Sequence, residues 1–461
     1  MTEKQIETAI NGKKNLFITG PAGTGKTYLL NKIIEKESKS LLLCAPTGIA
    51  AINIGGETLH KIFHIPVPAF EPPSFAKNKK GAITAAQLKV IAAADVLIID
   101  EISMCRNDVF RFIIKVLRKA EKIKGSKIRI IVCGDFNQLP PVVKKNEEKL
   151  FKKFGFDLSG YPFTTKEWDS CNFKVIELTD IKRQSNKDFI ENINNIRAGR
   201  DIEKTLSYFN SFVDKKIDKD NAIFICGTNA KAEEINKEYL DSLDGDIKVF
   251  PAEKSGRVAS GIVEDFLLMK ENAKIIFTVN DIQGKYKNGT FATIKKIHND
   301  YVIVDIDGKD VFINPHVYKL YKYSVTGNVL SKKEIGQIKQ YPFKIGKAIT
   351  IHKSQGQTFD NVILSPEIFA NGQLYVALSR VRTPEGLSLL SPISEKDIIP
   401  NKVVEEFISN NYVYKKKVSS VSKRKTLANS ATKKKASSKT VSKKGTKNKR
   451  NNSKATGRKN S

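Results

Sequence analysis

Eight consecutive residues, Gly20-Pro-Ala-Gly-Thr-Gly-Lys-Thr27, carry the first chemistry legible in this chain. The spacing Gly-x-x-x-x-Gly-Lys-Thr is that of a phosphate-binding loop. Gly20, Pro21, Ala22, Gly23, Thr24 and Gly25 would form a cradle of backbone N–H groups, Lys26 would reach the β- and γ-phosphates, and Thr27 would offer its hydroxyl to Mg²⁺. Further on, Val96-Leu-Ile-Ile-Asp100-Glu101 is an apolar run ending in two acids. At the end of a strand, Asp100 can hold the water shell of Mg²⁺ while Glu101 polarises an attacking water, the division of labour that ATP hydrolysis requires. A third apolar run, Ile130-Ile-Val-Cys-Gly134-Asp135-Phe-Asn-Gln138, enters a polar turn and a double proline. Gln138 would stand beside the γ-phosphate there; taken alone, the segment reads equally as a plain turn.

These groups need strands that deliver them to one edge. Asn15–Thr19, Ser40–Cys44, Val96–Ile99 and Ile128–Val132 are continuous apolar or β-rich runs, as expected for parallel strands covered on both faces, and Val109–Ala120 has helical spacing between two of them. The first 180 residues therefore read as a doubly wound α/β domain. A second series begins at Ala222–Cys226 and resumes at Lys347–Ile351, Asn361–Leu364 and Leu387–Leu390. Residues 281 to 340 differ: Phe291–Ile294, Tyr301–Ile306 and Asp310–Ile313 are short β-branched runs separated by Asn299-Asp300 and Asp307-Gly308, hairpin chemistry for a small β-barrel inserted into the second domain.

The chain has 461 residues and a formal net charge of +30. Between Lys415 and Ser461 lie 18 Lys and Arg and no acid, so the body is moderately basic and the tail, rich in Lys, Ser, Thr and Asn, is expected to be disordered. A basic balance favours nucleic acid as partner. No apolar run approaches the ~18 to 20 residues of a membrane span, and Met-Thr-Glu-Lys-Gln is not a signal core, so a soluble intracellular protein is expected, with no membrane partner. Five scattered cysteines without a C-x-x-C pair read as free core thiols, and the five histidines lack zinc-ligand spacing.

Seven colinear motifs together resemble the Pif/RecD-type DNA helicases of superfamily 1, most closely the petite-integration-frequency helicases, with phage Dda helicase a more distant relative. They are the phosphate loop, Ala45-Pro-Thr-Gly-Ile-Ala-Ala-Ile-Asn-Ile-Gly-Gly-Glu-Thr-Leu-His60, Asp100-Glu-Ile-Ser-Met104, Gly134-Asp-Phe-Asn-Gln-Leu-Pro-Pro141, Leu178-Thr-Asp-Ile-Lys-Arg-Gln184, Ile351-His-Lys-Ser-Gln-Gly-Gln-Thr358 and Tyr375-Val-Ala-Leu-Ser-Arg380. The resemblance implies two RecA-like P-loop domains, at 1–180 and at 181–280 with 341–414. An SH3-like β-barrel at 281–340 that closes over DNA would be inserted in the second, and a strand-separating wedge would lie within 65–95. It also implies Gln5 as the adenine-recognising residue and Arg183 and Arg380 as the second domain's γ-phosphate arginines, although a single arginine is more often a surface ion-pair partner.

On the same resemblance, Pro46, Thr47, Thr58, His60 and Phe63 line a single-strand groove, with His352, Lys353 and Ser354 opposite them. Small hydroxyls and N–H groups suit phosphate and a ring suits base stacking, though Phe63 also reads as a core residue. The implied protein is a monomeric ATP- and Mg²⁺-dependent helicase moving 5′ to 3′ on single-stranded and forked DNA in repair, recombination, replication or telomere maintenance, in nucleoid, cytoplasm or nucleus. An RNA helicase of the same superfamily and an architectural DNA-binding protein with a decayed ATPase are the rival readings.

Overall fold

Six short strands, Leu16–Thr19 (β1), Leu41–Ala45 (β2), Glu57–Thr58 (β3), Val96–Ile99 (β4), Arg129–Cys133 (β5) and Lys174–Glu177 (β6), form one parallel sheet in the order β3-β2-β4-β5-β1-β6. This computed structural model describes residues 11–411, apart from 37–39, 67–68, 76–81, 259–262, 280, 282, 287, 327–328 and 400. Gln5 and the tail 415–461 thus lie outside the described residues. Every position of β1, β4 and β5 is buried, the pattern of strands covered by helices on both faces. Phe17 lies opposite Val132 and Leu97 opposite Ile130, so the phosphate loop, Gly134-Asp135 and Asp100-Glu101 leave the same edge from three adjacent strands.

A helix from Lys26 to Lys36 follows the loop and buries Leu29, Leu30 and Ile33 on that sheet. The helix Asn107–Lys124 is strongly amphipathic, burying Phe110, Ile113, Ile114 and Leu117, and ends at Gly125, whose φ of 76° is the left-handed stop that glycine adopts without cost.

The second sheet has four parallel strands, in the order Ala348–Thr350, Ile223–Cys226, Val362–Leu364, Leu387–Leu389. Between its strands the chain is antiparallel. Lys309–Ile313, Val302–Ile306, Phe291–Ile297, Lys274–Phe277 and Phe343–Ile345 make a five-stranded sheet, and Lys248–Pro251 pairs with Phe266–Met269. A long hairpin, His316–Thr326 with Val329–Gln340, carries Glu253–Gly256 on its edge. The insertion is therefore wider than the expected 281–340. Its five-stranded sheet runs from Lys274 to Ile345, because Lys274–Phe277 sits between Phe291–Ile297 and Phe343–Ile345, and the separate pair Lys248–Pro251 with Phe266–Met269 precedes it. Asymmetric strand pairing of this kind joins segments far apart in the chain, which alternation within one segment cannot reveal.

Within the interval 65–95, the helix Ala85–Ala92 is capped by a reciprocal Thr84–Gln87 pair and buries Leu88, Ile91 and Ala92. Its end of the interval thus belongs to the packed body. All five cysteines are buried and free. One apolar cluster joins the two parallel sheets, with Ala22 and Leu139 of the first packed among Phe189, Leu374, Tyr375 and Leu378. The cleft described next opens beside that junction.

Candidate nucleotide cleft

The phosphate loop is shaped by backbone conformations that only glycine adopts cheaply. Gly23 has φ of +79°, and a Cβ there would stand 2.6 Å from the Cβ of Arg183, so this close approach fixes both the residue type and the distance between loop and arginine. The Lys26 ammonium donates to Gly20 O at 2.9 Å and Pro21 O at 3.1 Å, folded over its own loop. Burial holds its pKa below the ordinary lysine value, opposed by Asp135 and Glu101. The Thr24 hydroxyl donates to Pro21 O at 2.9 Å, and Lys182 N–H closes the loop on Gly23 O at 2.9 Å.

A cavity of about 610 Å³ faces the loop. Gly23, Lys26, Thr27, Tyr28, Glu101 and Gln138 line one wall; Lys182, Arg183, Gly356, Thr358, Arg380 and Arg382 line the other. The sequence-predicted Lys26, Thr27, Glu101, Gln138, Arg183 and Arg380 are thus brought together. Lys182, Arg382 and Tyr28 were not foreseen, and five cationic side chains around one carboxylate suit a polyanion.

Asp100 is buried at the end of β4, with its Oδ1 accepting the Glu101 N–H at 2.9 Å. Glu101 has φ of 51°, a left-handed conformation unusual for a residue with a side chain and common at functional sites. Burial, then the neighbouring Asp100 charge, pushes its carboxyl up to about 7. Burial likewise raises Asp100, against the Glu101 N–H and Lys26. The buried Asp100 carboxyl, the half-buried Glu101 carboxyl whose pKa it raises, and Thr27 in the wall of the same cavity as Glu101 are an oxygen donor set that suits a divalent cation. Among the described residues no cluster of three His, Cys, Asp or Glu side chains could hold a metal. A cation here would take phosphate and water oxygens for the rest of its shell, as Mg²⁺ does.

Both arginines differ from the simple expectation. Arg183 Nη1 donates to Ser379 O at 3.0 Å and Nη2 to Gly356 O at 3.4 Å, and burial draws its pKa down to about 10. Arg380, 1% exposed, uses Nε on Val376 O at 2.7 Å, Nη2 on the Ser379 hydroxyl at 2.6 Å and Nη1 on Ser354 O and Gln357 O at 3.4 Å each. Burial and the Arg183 charge push it well below the usual arginine value. The guanidinium therefore does not extend freely across the cleft but is tied to its own domain. Its two 3.4 Å contacts are the weak ones that a phosphate could replace.

A buried relay not foreseen from sequence crosses the junction. Ala22 N–H of the loop donates to the Tyr375 hydroxyl at 2.7 Å, which reaches Asp135 Oδ2 at 3.5 Å, and Asp135 pairs with Arg197 at 3.1 Å. Burial alone would raise Asp135; Arg197 and Lys26 hold it below the ordinary carboxylate value. Tyr375 stood within a quoted motif, but its partner lies 353 residues away and no local pattern marks it.

The proposed nucleic-acid residues divide. Pro46 and His60 line a second cavity of about 300 Å³ with Met104, Arg106 and Asp108. Thr47 and Thr58 cap short helices, accepting from Ala50 N and Lys61 N. Lys353 is exposed and His352 half-buried, its imidazole held below the usual histidine value by burial. Two expectations are corrected. Phe63 is 0% exposed, part of the core rather than a stacking platform, because it falls on the inward face of the helix Leu59–Phe63. Ser354 is also fully buried and its hydroxyl donates to Ile351 O at 2.8 Å, one turn back, leaving no hydroxyl for phosphate.

Comparison with known proteins identifies the family. The family model described as PIF1-like helicase matches residues 2–206. The Campylobacter jejuni protein named ATP-dependent DNA helicase Pif1 is 33% identical over 407 residues, covering 82% of this chain and 89% of its own. The crystal structure of Bacteroides sp Pif1 in complex with ADP-AlF4 superimposes with a TM-score of 0.79 at 33% identity, over 89% of this chain and 96% of that one. The same enzyme bound to ssDNA gives 0.64 over 89% and 97%. On the sequence identity, the coverage and the shared fold, this chain belongs to the PIF1-like helicases.

Proposed function

We propose that this protein is an ATP-dependent DNA helicase that moves 5′ to 3′ along single-stranded DNA and opens forked duplexes. One observation carries the reading. The segment Thr350–Thr358 supplies Gly356 and Thr358 to the nucleotide cleft while presenting Lys353 to solvent, so one stretch of chain faces both a polyphosphate pocket and an open surface suited to a DNA backbone. The related proteins named as DNA helicases and the ssDNA complex of the Bacteroides enzyme support DNA as the track.

In this reading Lys26 exchanges its loop carbonyls for the β- and γ-phosphates. Glu101 accepts a proton from the attacking water, and Gln138 senses the γ-phosphate. Arg183 and Arg380 turn their weaker contacts toward the transferring phosphoryl, where a fixed planar cation stabilises charge in a closed cleft. Thr27 and Asp100 would hold Mg²⁺, which, when bound, neutralises phosphate charge. Closure and opening of the cleft would then move the DNA contacts of Pro46, Thr47, Thr58 and His60 relative to those of His352 and Lys353. The strands from Lys248 to Ile345 would include an SH3-like barrel that closes over DNA. The wedge would come from the interval 65–95, and the basic tail would tether the enzyme to nucleic acid.

Strand displacement on 5′-tailed and 3′-tailed DNA and RNA duplexes tests this. ATP-dependent opening of only the 5′-tailed DNA is expected. Equal opening of the RNA duplex would favour the RNA-helicase reading, and DNA binding without ATP hydrolysis the architectural one.

A further inference from the structure

Gln355 belongs to the segment proposed above to contact DNA, yet its side chain reaches Glu101 and Gln138 in the nucleotide cleft. Its Nε2 donates to Glu101 Oε2 at 2.8 Å and to Gln138 Oε1 at 3.3 Å, spanning 254 and 217 residues of chain. Its Oε1 is buried and takes no hydrogen bond. The residues around it are bound to the same centre: Ser354 O and Gln357 O accept from Arg380, and Gly356 O accepts from Arg183. Four consecutive residues of the second domain thus touch the proposed base, the proposed γ-phosphate sensor and both arginines. Lys353 precedes them at the surface.

We infer that Gln355 is a catalytic residue for the hydrolytic step, fixing Glu101 through its amide N–H and framing the attacking water through its amide oxygen, and that it is delivered to both by the segment 351–358. The inference rests on the helicase reading above. Both amide hydrogens are committed, one to the base and one to the sensor, which fixes the Glu101 carboxylate from across the cleft. The left-handed backbone at Glu101 sets where this side chain starts, and the Gln355 amide sets where it ends. The remaining amide oxygen is an acceptor without a donor, and burying it unpaired is costly. A water attacking the γ-phosphorus has two protons to place. Glu101 takes one as the new O–P bond forms and the bond to the β,γ-bridging oxygen breaks, its electron pair leaving on ADP. Gln355 Oε1 accepts the hydrogen bond of the other. The water is therefore framed only while the segment 351–358 sits against the cleft, and DNA on that segment gains a direct route to the chemical step.

Full-length protein with Gln355→Ala, Gln355→Asn, Glu101→Gln and the double substitution Glu101→Gln/Gln355→Ala provides the test. Each is assayed for ATPase at saturating oligo-dT, for single-turnover ADP formation and for the Kd of oligo-dT and of mant-ADP; retained mant-ADP binding shows that the cleft has folded. Gln355→Ala should lower kcat by about 10²-fold, the usual cost of one positioned polar group, with KM for ATP and both Kd values within about threefold. Gln355→Asn, one methylene short of both partners, should stay low. The double variant should be no slower than Glu101→Gln alone, which a merely structural defect would not produce. Additive losses in the double variant, an unchanged kcat, or a loss confined to the Kd of oligo-dT would overturn the inference. So would a rise in DNA-free ATPase in Gln355→Ala, which would make the residue a latch on Glu101. If the unmodified protein shows neither ATPase nor strand displacement, the helicase reading itself fails. Normal wild-type activity with unaffected Gln355 variants removes only the present inference.

Discussion

Lys26 and Glu101 share one cleft but are exposed to different physics. Lys26 is a cation held over loop carbonyls, ready to exchange them for phosphate oxygens, whereas Glu101 is a carboxyl held by a neighbouring acid, a backbone constraint and an amide from the second domain. Lys26→Ala should therefore weaken both nucleotide binding and turnover. Glu101→Gln should bind mant-ATP with near-normal affinity while its DNA-stimulated kcat falls by about 10² to 10⁴, the span typical of a lost general base. Equilibrium titration and steady-state ATPase on the same preparations separate the two, and normal turnover in Glu101→Gln would remove it from the role of base. Arg380 is less simple to test. Truncating it removes a charge but also frees Ser354 O and Gln357 O, so its loss should disturb the segment 351–358 as well as the cleft.

At the scale of elements, the junction between the two parallel sheets depends on close approaches. Gly372 has φ of +74°, and a Cβ there would lie 2.3 Å from Gln138 O and 2.7 Å from Asn137 O. Gly372→Ala should push the second domain off the turn that carries Gln138. Left-handed backbone alone costs a residue with a side chain about 1 to 2 kcal/mol, so DNA-stimulated ATPase should drop by about tenfold or more, with oligo-dT binding retained. The closing strand of the insertion, Phe343–Ile345, offers a second test. Burial, and then the charge of Lys353, draws the Lys344 ammonium down to about 8. Between that value and the ordinary 10.5 the unfolded chain binds more protons than the folded one, so this group makes stability rise with pH across that window. Lys344→Met should raise Tm at pH 7, where the half-buried ammonium is mostly charged, and the gain should fade as pH approaches about 10.5. Thermal unfolding of both proteins at several pH values checks this; a gain independent of pH would mean that packing rather than charge was relieved.

For the whole molecule, the excess of positive charge is concentrated in its last 47 residues. Each engaged charge releases counterions, so affinity should fall with salt by a log–log slope of roughly −0.7 for every single-strand phosphate contacted. Truncation after Tyr414 should leave ATPase at saturating DNA nearly unchanged, raise the Kd for oligo-dT at low salt and flatten its salt dependence. Superimposable isotherms from full-length and truncated proteins would make the tail an address or a solubilising segment instead of a tether.

The sequence by itself determined the parts that consecutive residues can encode. The phosphate loop needs its glycines and lysine in one turn, Asp100-Glu101 needs only a buried strand before it, and the second sheet and the inner strands of the first are visible because strands covered on both faces are largely apolar, whereas the edge strands Glu57–Thr58 and Lys174–Glu177 carry polar residues and escaped the pattern. What the tertiary structure decided was which side chains meet and which are used up. Phe63 and Ser354 have residue types suited to DNA, but helix phase turned one inward and a carbonyl one turn back took the other's hydroxyl. The insertion began earlier than its hairpins suggested because Lys274–Phe277 pairs with the first hairpin strand, Phe291–Ile297, and with Phe343–Ile345 beyond the last. The contacts of Tyr375 with Ala22 and of Gln355 with Glu101 join residues hundreds of positions apart. Side-chain type and spacing report what a residue could bond within its own turn or strand; a partner on another sheet is set by how two packed cores dock, and that information is spread over the whole interface.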